Sequence, residues 1–356
     1  MKVLMDILEL QEALHKVDKG VGNGKMLPIT KYIEVIVEDS KIMFISTDLN
    51  IWVTSIADTV ETMEEGRVVV LAHKFKNLID KTTVNEVLLS TDGDTLIVKG
   101  NGEYRIETID EEFPDYTLEI EKEIKVKSEE LIKNININKS AIDDEMVMPC
   151  LASFYIGDTM ATTNSKKMCY NTNNILKTTD QQPFLLGREL ADKLDVLNGE
   201  VSVELTKDNA ILFTDRNTMI YGPLHDGIEN YPDIQSIVHN FSFEGKVEIN
   251  TSKLNNILGR LSIFKNTIST DGVTIKFAKN FMLLSDLKDK NKEFLNYTKK
   301  HKLIEDFEIK LNIDYLVDIL SSIPQEVVTL YFGEDSVVLL EMDNVNFVLA
   351  SLEDAE

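Results

Sequence analysis

A catalytic site needs side chains that converge, and this sequence offers few residues that could do so. Asp92 and Asp94 could act as a carboxylate pair in metal binding or acid–base chemistry, but Asp92-Gly93 is typical of a hairpin turn. The loop at residues 20–25 has the glycines of a phosphate-binding loop, but it lacks the Walker spacing and a Ser or Thr after its lysine. We therefore expect no catalytic residues.

Metal and redox sites are also poorly supported. The histidines stand far apart, without ligand spacing: His15, His73, His225, His239 and His301. Cys150 and Cys169 have no CxxC spacing and no neighbouring histidine, so reduced, half-buried thiols are favoured over a metal or redox pair. We expect no metal and no cofactor.

The N-terminus reaches Asp6 too early for a secretory signal, and no apolar run approaches the ~20 residues that a membrane span needs. These features predict a cytoplasmic protein with no membrane partner.

The elements that must position any site recur three times along the chain. An apolar residue followed by two more at steps of seven and four opens each copy: Val3/Leu10/Leu14, Ile124/Leu131/Ile135 and Val247/Leu254/Leu258. A strand-like residue with apolar residues five and eight positions later follows in each: Val70/Phe75/Leu78, Leu186/Ala191/Leu194 and Leu311/Leu316/Ile319. The first markers of the three copies, Val3, Ile124 and Val247, are 121 and 123 residues apart. Solenoid repeats run at about 20 to 50 residues, so this period predicts whole domains rather than a stack of small units.

Two further markers repeat in the same order. An aromatic-Pro-Asp tripeptide closes the first copy at residues 113–115 and the second at 231–233. A polar turn follows a strand midway along each copy, at residues 47–49, 163–165 and 285–287. We predict three similar domains, and we call the corresponding segments the first, second and third repeats: residues 1–119, 120–239 and 240–356.

Hydrophobic periodicity predicts an α+β fold. The first repeat reads as strands at 2–5, 32–38, 41–47, 51–60, 67–71, 86–91, 94–99 and 103–109, with helices at 7–19 and 72–81. Each repeat is expected to place two helices on one side of a largely antiparallel sheet.

The net charge is −24, from 61 acidic and 37 basic residues, which taken alone argues against nucleic acid. Local charge matters more than the sum. The predicted helical segments at 72–81, 128–139, 186–197 and 250–265 are neutral to mildly basic, whereas the acidic excess lies elsewhere. Solvation explains any single such helix, but recurrence favours a shared functional face.

Several motifs resemble one family. They are Leu27-Pro28-Ile29, Thr47-Asp48-Leu49, Ala72-His73-Lys74-Phe75, Phe113-Pro114-Asp115-Tyr116, Asp226-Gly227, Tyr231-Pro232-Asp233, Phe307-Glu308-Ile309 and Asn312-Ile313-Asp314-Tyr315-Leu316. Together they resemble, over essentially the full length, the bacterial β sliding clamp, which is the processivity factor of the replicative DNA polymerase (DNA polymerase III β subunit).

The resemblance implies three DNA-clamp domains per chain and a head-to-tail homodimeric ring that encircles duplex DNA. Phosphate contacts without sequence preference would hold the DNA. The DNA-facing residues implied here are Lys25, His73, Lys74, Lys76, Arg188, Lys193, Lys253, Arg260 and Lys265. Expected partners are duplex DNA, a second copy of the chain, the replicative polymerase, the clamp loader and other proteins with a clamp-binding motif.

The family also binds partner peptides in a cleft between its second and third domains. The matching residues, which we call the partner cleft, are Thr163, Ser165, Lys166, Lys167, Met168, Pro232, Ile237, Ser336, Val348, Ala350 and Leu352. Two parts depart from the family pattern. The family's Thr-Asp-Gly-His-Arg-Leu turn here reads Thr163-Asn164-Ser165-Lys166-Lys167-Met168. Its hydrophobic Met-Pro-Met-Arg-Leu tail is replaced by Ala350-Ser351-Leu352, followed by Glu353-Asp354-Ala355-Glu356. The chain is thus identified as a divergent member with an altered cleft, and a phage or mobile-element origin is one hypothesis that fits.

The ring interface decides between two binding functions. The family joins its first domain to the partner's third domain, and the matching positions are Tyr104 and Ile106 on one side and Ile263 and Phe264 on the other. Each would also suit a local core. If these residues do not form an interface, the alternative is a clamp-like decoy that binds partner peptides without encircling DNA.

Overall fold

The computed structural model describes residues 1–142, 148–177, 182–264, 272–302, 307–333 and 336–352. Over these ranges the chain forms seven α-helices and 26 strands. The same order recurs three times: a strand and a helix, then a group of strands, then a second strand and helix, then three more strands.

The first repeat contains β1 (Lys2–Asp6), α1 (Ile7–Asp18), β2 (Tyr32–Glu38), β3 (Lys41–Thr47), β4 (Trp52–Asp58), β5 (Glu61–Glu64), β6 (Gly66–Leu71), α2 (Ala72–Asp80), β7 (Glu86–Thr91), β8 (Thr95–Lys99) and β9 (Glu103–Ile109). The second contains β10 (Ile120–Lys127), α3 (Ser128–Lys139), β11 (Ser153–Ile156), β12 (Met160–Thr163), β13 (Lys167–Asn171), β14 (Phe184–Gly187), α4 (Arg188–Ala191), β15 (Glu200–Thr206), β16 (Ala210–Thr214), β17 (Thr218–Pro223) and α5 (Ile234–His239). The third contains β18 (Gly245–Asn250), α6 (Thr251–Leu261), β19 (Gly272–Phe277), β20 (Phe281–Asp286), β21 (Lys292–Asn296), β22 (Lys299–Lys302), β23 (Phe307–Asn312), α7 (Ile313–Ser322), β24 (Val327–Phe332), β25 (Val337–Met342) and β26 (Val345–Ala350).

Side-chain capping starts several of these helices. Asp6 accepts hydrogen bonds from two N–H groups of the first turn of α1, and Asn312 does the same for α7. Asn250 caps α6 through the N–H of Lys253 at 2.9 Å. Each cap satisfies donors that have no partner inside the helix, which fixes the helix start directly after a strand.

Contacts divide the described chain into two compact units. The first unit comprises residues 1–131 and 189–224, and the second comprises 132–188 and 225–356. The second repeat therefore contributes strands to both, while the division into three domains at 1–119, 120–239 and 240–356 stays a prediction.

The first unit holds one sheet of 13 strands, β1–β10 and β15–β17. The pairing of β17 with β4 joins strands of the second repeat to those of the first. Helices α1 and α2 bury Leu10, Leu14 and Phe75 in a core with Val3 and Phe44. The residues whose spacing predicted the repeat thus form this core.

The second unit holds sheets of nine and four strands, and β13 pairs with β26 within the larger one. Leu254 and Leu258 of α6 pack with Leu316 and Ile319 of α7 in its main core. All strand pairs among the described residues are antiparallel, as predicted. No helix in the described ranges is long and apolar enough to span a membrane.

One predicted helix differs from its prediction. Residues 186–197 read as a single helical segment, but α4 is one turn long and a 3₁₀ turn at Leu194–Val196 follows it. Leu194, Val196 and Leu197 are all buried. In a 3₁₀ turn the side chains at i and i+3 lie on the same face, which fits the joint burial of Leu194 and Leu197.

Candidate functional site

The partner cleft begins at a tight turn between β12 and β13. The Thr163 hydroxyl accepts from the N–H of Ser165 at 3.1 Å, and the Asn164 side-chain oxygen accepts from the next two N–H groups at 3.1 and 2.8 Å. Ser165 adopts a left-handed conformation with φ of 69°. Because its own side chains satisfy the turn, the exposed Ser165 and Lys166 are held in place beside β13.

Apolar residues of the predicted partner cleft lie on β13 and β26. Met168 stands directly opposite Val348 in the strand pair. Both are buried in one cluster with Tyr231 and Ile234, and the half-buried Ile237 of α5 packs against it. The structure therefore brings together apolar residues that are far apart in sequence, and it leaves Ile237 partly exposed above them.

Tyr231 anchors the segment that carries α5. Its hydroxyl donates to the carbonyl of Ala161 at 3.1 Å, and burial raises its pKa well above the usual value. The half-buried Pro232 follows, and Asp233 then caps α5 by accepting from the N–H of Ser236 at 3.1 Å. The Ser236 hydroxyl also donates to the Asp233 carboxylate at 2.6 Å, and these hydrogen bonds, led by that from the hydroxyl, lower the pKa of the exposed carboxyl.

Residues 350–352 of the predicted partner cleft make backbone contacts with three other segments. Ala350 donates its N–H to the Lys166 carbonyl at 2.9 Å, and Ser336, with φ of 55°, accepts from the N–H of Ser351 at 2.7 Å. Leu352, by contrast, lies against Lys310 and Gly272. Its N–H donates to the Lys310 carbonyl, and its side chain lies so close to Gly272 that a Cβ there would stand 2.6 Å from Leu352 Cδ1.

Lys167 is also placed away from the cleft surface. Its ammonium lies 3.4 Å from Asp318 and 4.6 Å from the ring centroid of Tyr315, both on α7. Burial lowers the pKa of Lys167, and the nearby Asp318 carboxylate opposes that shift. Of the two adjacent lysines, Lys166 is the one exposed at the turn.

Several aromatic residues of the cleft region were not predicted from the sequence. Tyr155 stacks on Tyr231 with ring centroids 5.3 Å apart. Phe241 and Phe243, directly after α5, pack against the same cluster. The alternation Phe241-Ser242-Phe243 was the available signal, but nothing in it indicates which cluster the rings join.

The predicted DNA-facing cations fall into two groups. Lys25, His73, Lys74 and Lys253 are exposed. Among the described residues, no carboxylate lies within ion-pair distance of the three lysines. Their charges are therefore available to a phosphate.

Three of the other predicted cations have partners within the protein. Arg260 binds both oxygens of Glu293, at 2.7 and 2.6 Å. Lys76 pairs with Asp80 at 2.9 Å, and this interaction raises its pKa. Lys193 donates to the carbonyl of Lys19 at 2.7 Å.

The last two predicted DNA-facing residues are Arg188 and Lys265. Arg188 is half-buried and has an interaction partner. Lys265 lies outside the described residues.

Two helices outside the predicted basic segments carry acidic exposed faces. Glu9, Glu12 and Asp18 are exposed on α1, and Asp314 and Asp318 are exposed on α7. The helix surfaces taken together are therefore close to neutral rather than basic.

The predicted interface residues differ in exposure. The exposed fractions of Tyr104, Ile263 and Phe264 are 44%, 76% and 55%, whereas Ile106 is 7% exposed and packs in the core of the first unit. In the described chain, β9 pairs with β8 at residues 103–107 and with β6 only at Thr108 and Ile109. The first half of β9 therefore presents a sheet edge, which another chain can extend.

The residues considered for catalysis have structural roles. The N–H of Asp92 donates to the carbonyl of Thr95 at 3.0 Å, and Gly93 has φ of 54°, as a hairpin turn requires. Both cysteines are buried, and burial raises the pKa of the Cys169 thiol. The described ranges contain no group of three or more His, Cys, Asp and Glu residues that could hold a metal ion.

Comparison with known proteins matches this geometry to one fold. Residues 1–117 match the family described as DNA polymerase III beta subunit, N-terminal domain. No curated protein matches the chain.

Solved sliding clamps match the whole chain at low identity. The DNA polymerase sliding clamp from Bacillus subtilis is 18% identical, with a TM-score of 0.88 over 100% of both chains. The beta subunit from Streptococcus pyogenes is 18% identical, with a TM-score of 0.89 over 99% of this chain and 100% of that one. A sliding clamp from Pseudomonas aeruginosa bound to griselimycin gives 18% and 0.89 over 99% of each chain. The predicted resemblance and the α+β clamp fold are confirmed.

Proposed function

We propose that this chain is a DNA sliding clamp, a non-catalytic processivity factor that encircles duplex DNA and tethers the replicative polymerase to it. Two chains would join head to tail, so that six repeats close a ring. The observation that carries the proposal is the full-length match to sliding clamps at TM-scores of 0.88 and 0.89, together with the family match over residues 1–117.

The exposed interface residues support ring closure. Tyr104 lies on the open edge of β9, and Ile263 and Phe264 expose apolar side chains directly after α6. Exposed apolar groups beside a free sheet edge are unfavourable in a monomer, and a second chain would bury them. Nothing among the described residues favours the decoy alternative over a ring.

The nearly neutral charge of the helix surfaces is compatible with a protein ring that encloses DNA. A protein that holds DNA by surface contact needs many free cations, because its affinity comes from displaced counterions. A closed ring is retained by topology instead, so a few cations such as Lys25, Lys74 and Lys253 suffice and the clamp can slide. The net charge of −24 would keep DNA from binding elsewhere on the surface.

The partner cleft would recruit the polymerase, the clamp loader and other clamp-binding proteins. Met168, Val348 and Ile237 offer an apolar surface for a short peptide, and the exposed Lys166 stands at its rim. Apolar anchors supply affinity in such a groove, and rim charges select among partners. Since the turn and tail depart from the family pattern, the best peptide should differ from the standard bacterial one.

Encirclement can be tested by comparing retention of the protein on circular and linear DNA. The chains are dissociated in mild denaturant, reassociated with nicked circular plasmid, and passed through a sizing column at high salt. We expect protein to remain with circular DNA, and to be released when a restriction enzyme cuts the circle. Ile263→Ala with Phe264→Ala, which weakens closure, serves as the control and should not be retained. Equal retention on linear and circular DNA would show ordinary surface binding and refute encirclement.

A further inference from the structure

The turn that borders the partner cleft has a counterpart in the first unit, at residues 47–49. In each turn a threonine hydroxyl accepts from the N–H two residues later, at 2.9 Å at Leu49 and 3.1 Å at Ser165. The Asp48 side-chain oxygen accepts from the next two N–H groups at 3.0 and 2.8 Å, as that of Asn164 does. Leu49 and Ser165 both have positive φ, 82° and 69°. The two turns are the same structure.

The strand pair beneath the turn is repeated as well. Trp52 of β4 stands opposite Tyr221 of β17, as Met168 stands opposite Val348. Trp52 and Met168 each follow their turn at the same distance. The floor of the partner cleft therefore has an aromatic equivalent in the first unit.

The residues beside this strand pair also match those at the edge of the partner cleft. Asn209 has φ of 59° and accepts from the N–H of Leu224 at 2.9 Å, while Ser336 has φ of 55° and accepts from the N–H of Ser351 at 2.7 Å. Pro223 pairs with Ala210 just as Ala350 pairs with Val337.

The remaining wall comes from the aromatic-Pro-Asp segment. Tyr116 follows the tripeptide at 113–115, as Ile234 follows 231–233. The ring of Tyr116 stacks on Tyr221 with centroids 4.3 Å apart and planes at 7°, and Trp52 lies 5.6 Å from Tyr116. The indole N–H of Trp52 donates to the Pro114 carbonyl at 3.1 Å, which fixes the ring.

Together these residues line an open groove of about 540 Å³, which we call the aromatic groove: Leu49, Asn50, Trp52, Asp115, Tyr116, Thr117, Asp208, Ala210, Tyr221 and Pro223.

The charge of the aromatic groove differs from that of the partner cleft. Its lining contains two carboxylates, Asp115 and Asp208, and no basic residue. Both are exposed, and hydrogen bonding led by Thr206 lowers the pKa of Asp208. Where the cleft turn carries Lys166, this turn carries Asn50. Carboxylates beside aromatic faces attract a guanidinium or ammonium group and repel phosphates, which disfavours nucleic acid as the occupant.

We propose that the aromatic groove is a second docking site, separate from the partner cleft, for a short protein segment that carries Arg or Lys beside an apolar or aromatic anchor. The anchor would lie on Trp52 and Tyr116, and the cation would reach Asp115 and Asp208. The site lies entirely within the first unit, so it does not depend on ring closure. The two sites would then select partners of opposite rim charge.

Trp52 is the single tryptophan of the chain, so its fluorescence reports on the aromatic groove directly. The full chain is titrated with two pools of capped, tryptophan-free pentapeptides that have Phe at position four and varied flanks. One pool has Arg at position two and the other has Glu there. We expect a saturable change in Trp52 emission with the Arg pool and at least tenfold weaker binding with the Glu pool.

Variants locate the site. Asp115→Asn with Asp208→Asn should weaken binding of the Arg pool at least tenfold, while keeping the side-chain oxygens that hold the local turns. Asp58→Asn with Glu86→Gln removes the same charge from exposed positions of β4 and β7, and should leave binding unchanged. Ile237→Asp in the partner cleft should also leave it unchanged, which separates this site from the proposed polymerase site.

Four results would overturn the proposal. They are equal binding of both pools, no response of Trp52, an unchanged affinity in the Asp115/Asp208 variant, or displacement of the Arg pool by an oligo-dT strand.

Discussion

At the scale of single residues, ion-pair partners decide which predicted lysines and arginines keep a free charge. Asp80 is only four residues from Lys76, but other partners are distant in sequence. Arg260 and Glu293 are 33 positions apart, and Lys167 and Asp318 are 151 apart. Local sequence identifies a lysine or arginine on a helix or turn, but it does not show the carboxylate that folding brings to it. The sequence therefore identified the exposed Lys74 and Lys253 as readily as the paired Arg260.

This difference predicts unequal effects on DNA binding. Lys74→Ala with Lys253→Ala should reduce the slope of log affinity against log salt by roughly one unit for each lysine that contacts a phosphate. Arg260→Ala, the matched control, should change the slope less because Glu293 already holds its charge. Fluorescence anisotropy with a short duplex measures both. A larger effect of Arg260→Ala would contradict the assignment.

The partner cleft gives a second prediction at this scale. Ile237→Asp places a charge on the half-buried apolar edge of the cleft, and it should weaken binding of a standard bacterial clamp-binding peptide at least tenfold. Gln235→Asp adds the same charge on the exposed side of α5, so it should have little effect. Leu352→Asp should weaken binding less than Ile237→Asp, because Leu352 lies beside Gly272. Calorimetry that finds Ile237→Asp equal to the parent would place the peptide site elsewhere.

The sequence also did not predict which side chains of β9 are exposed. Tyr104 and Ile106 share a face of β9 because side chains alternate, yet only Ile106 reaches the core of the first unit. Alternation gives the face of each side chain but not the point where the covering core ends.

At the scale of elements, periodicity predicted most of the first repeat. The expected strands at 32–38, 41–47, 86–91 and 103–109 are β2, β3, β7 and β9, and the helix expected at 7–19 is α1. These segments combine clear alternation or a helical apolar stripe with turn residues at their ends. The sequence did not predict α5, because its six residues are too few to show a period.

Helix capping gives a prediction at this scale. Asn312 accepts from the N–H groups of Asp314 and Tyr315 at 2.9 and 3.1 Å. Asn312→Ala leaves these donors without their partner and should lower the free energy of unfolding by about 1 kcal/mol. Ser252→Ala, at an exposed position of α6, is the control and should be neutral or slightly stabilising. Urea denaturation measures both, and equal midpoints for Asn312→Ala and the parent would show that the cap contributes nothing.

At the scale of the whole molecule, the proposed ring of two chains has to account for the repeat, the net charge and the exposed interface residues together. The apolar markers of the first and third repeats lie in or against the main cores of the two described units, while the division into three domains stays a prediction. The net charge of −24 agrees with the proposed retention of DNA by enclosure, which needs few free cations. Both points agree with the proposed ring of two chains.

The interface residues test ring formation by mutation. Ile263→Ala with Phe264→Ala should convert dimers to monomers, because removing a central apolar anchor commonly costs about 2 kcal/mol or more. Both side chains are exposed in one chain, so the circular dichroism spectrum should not change. Phe294→Ala, at a residue that is 65% exposed, is the matched control and should leave the dimer intact. Dimers that survive the double substitution would exclude these residues from the interface.

The most direct test of the two-chain ring is the mass of the unmodified protein in solution. Sedimentation velocity or light scattering over a range of concentrations measures it. We expect about twice the 40.4 kDa mass of one chain. A single species of 40.4 kDa at every concentration would contradict the ring, since one chain with three repeats supplies only half of it.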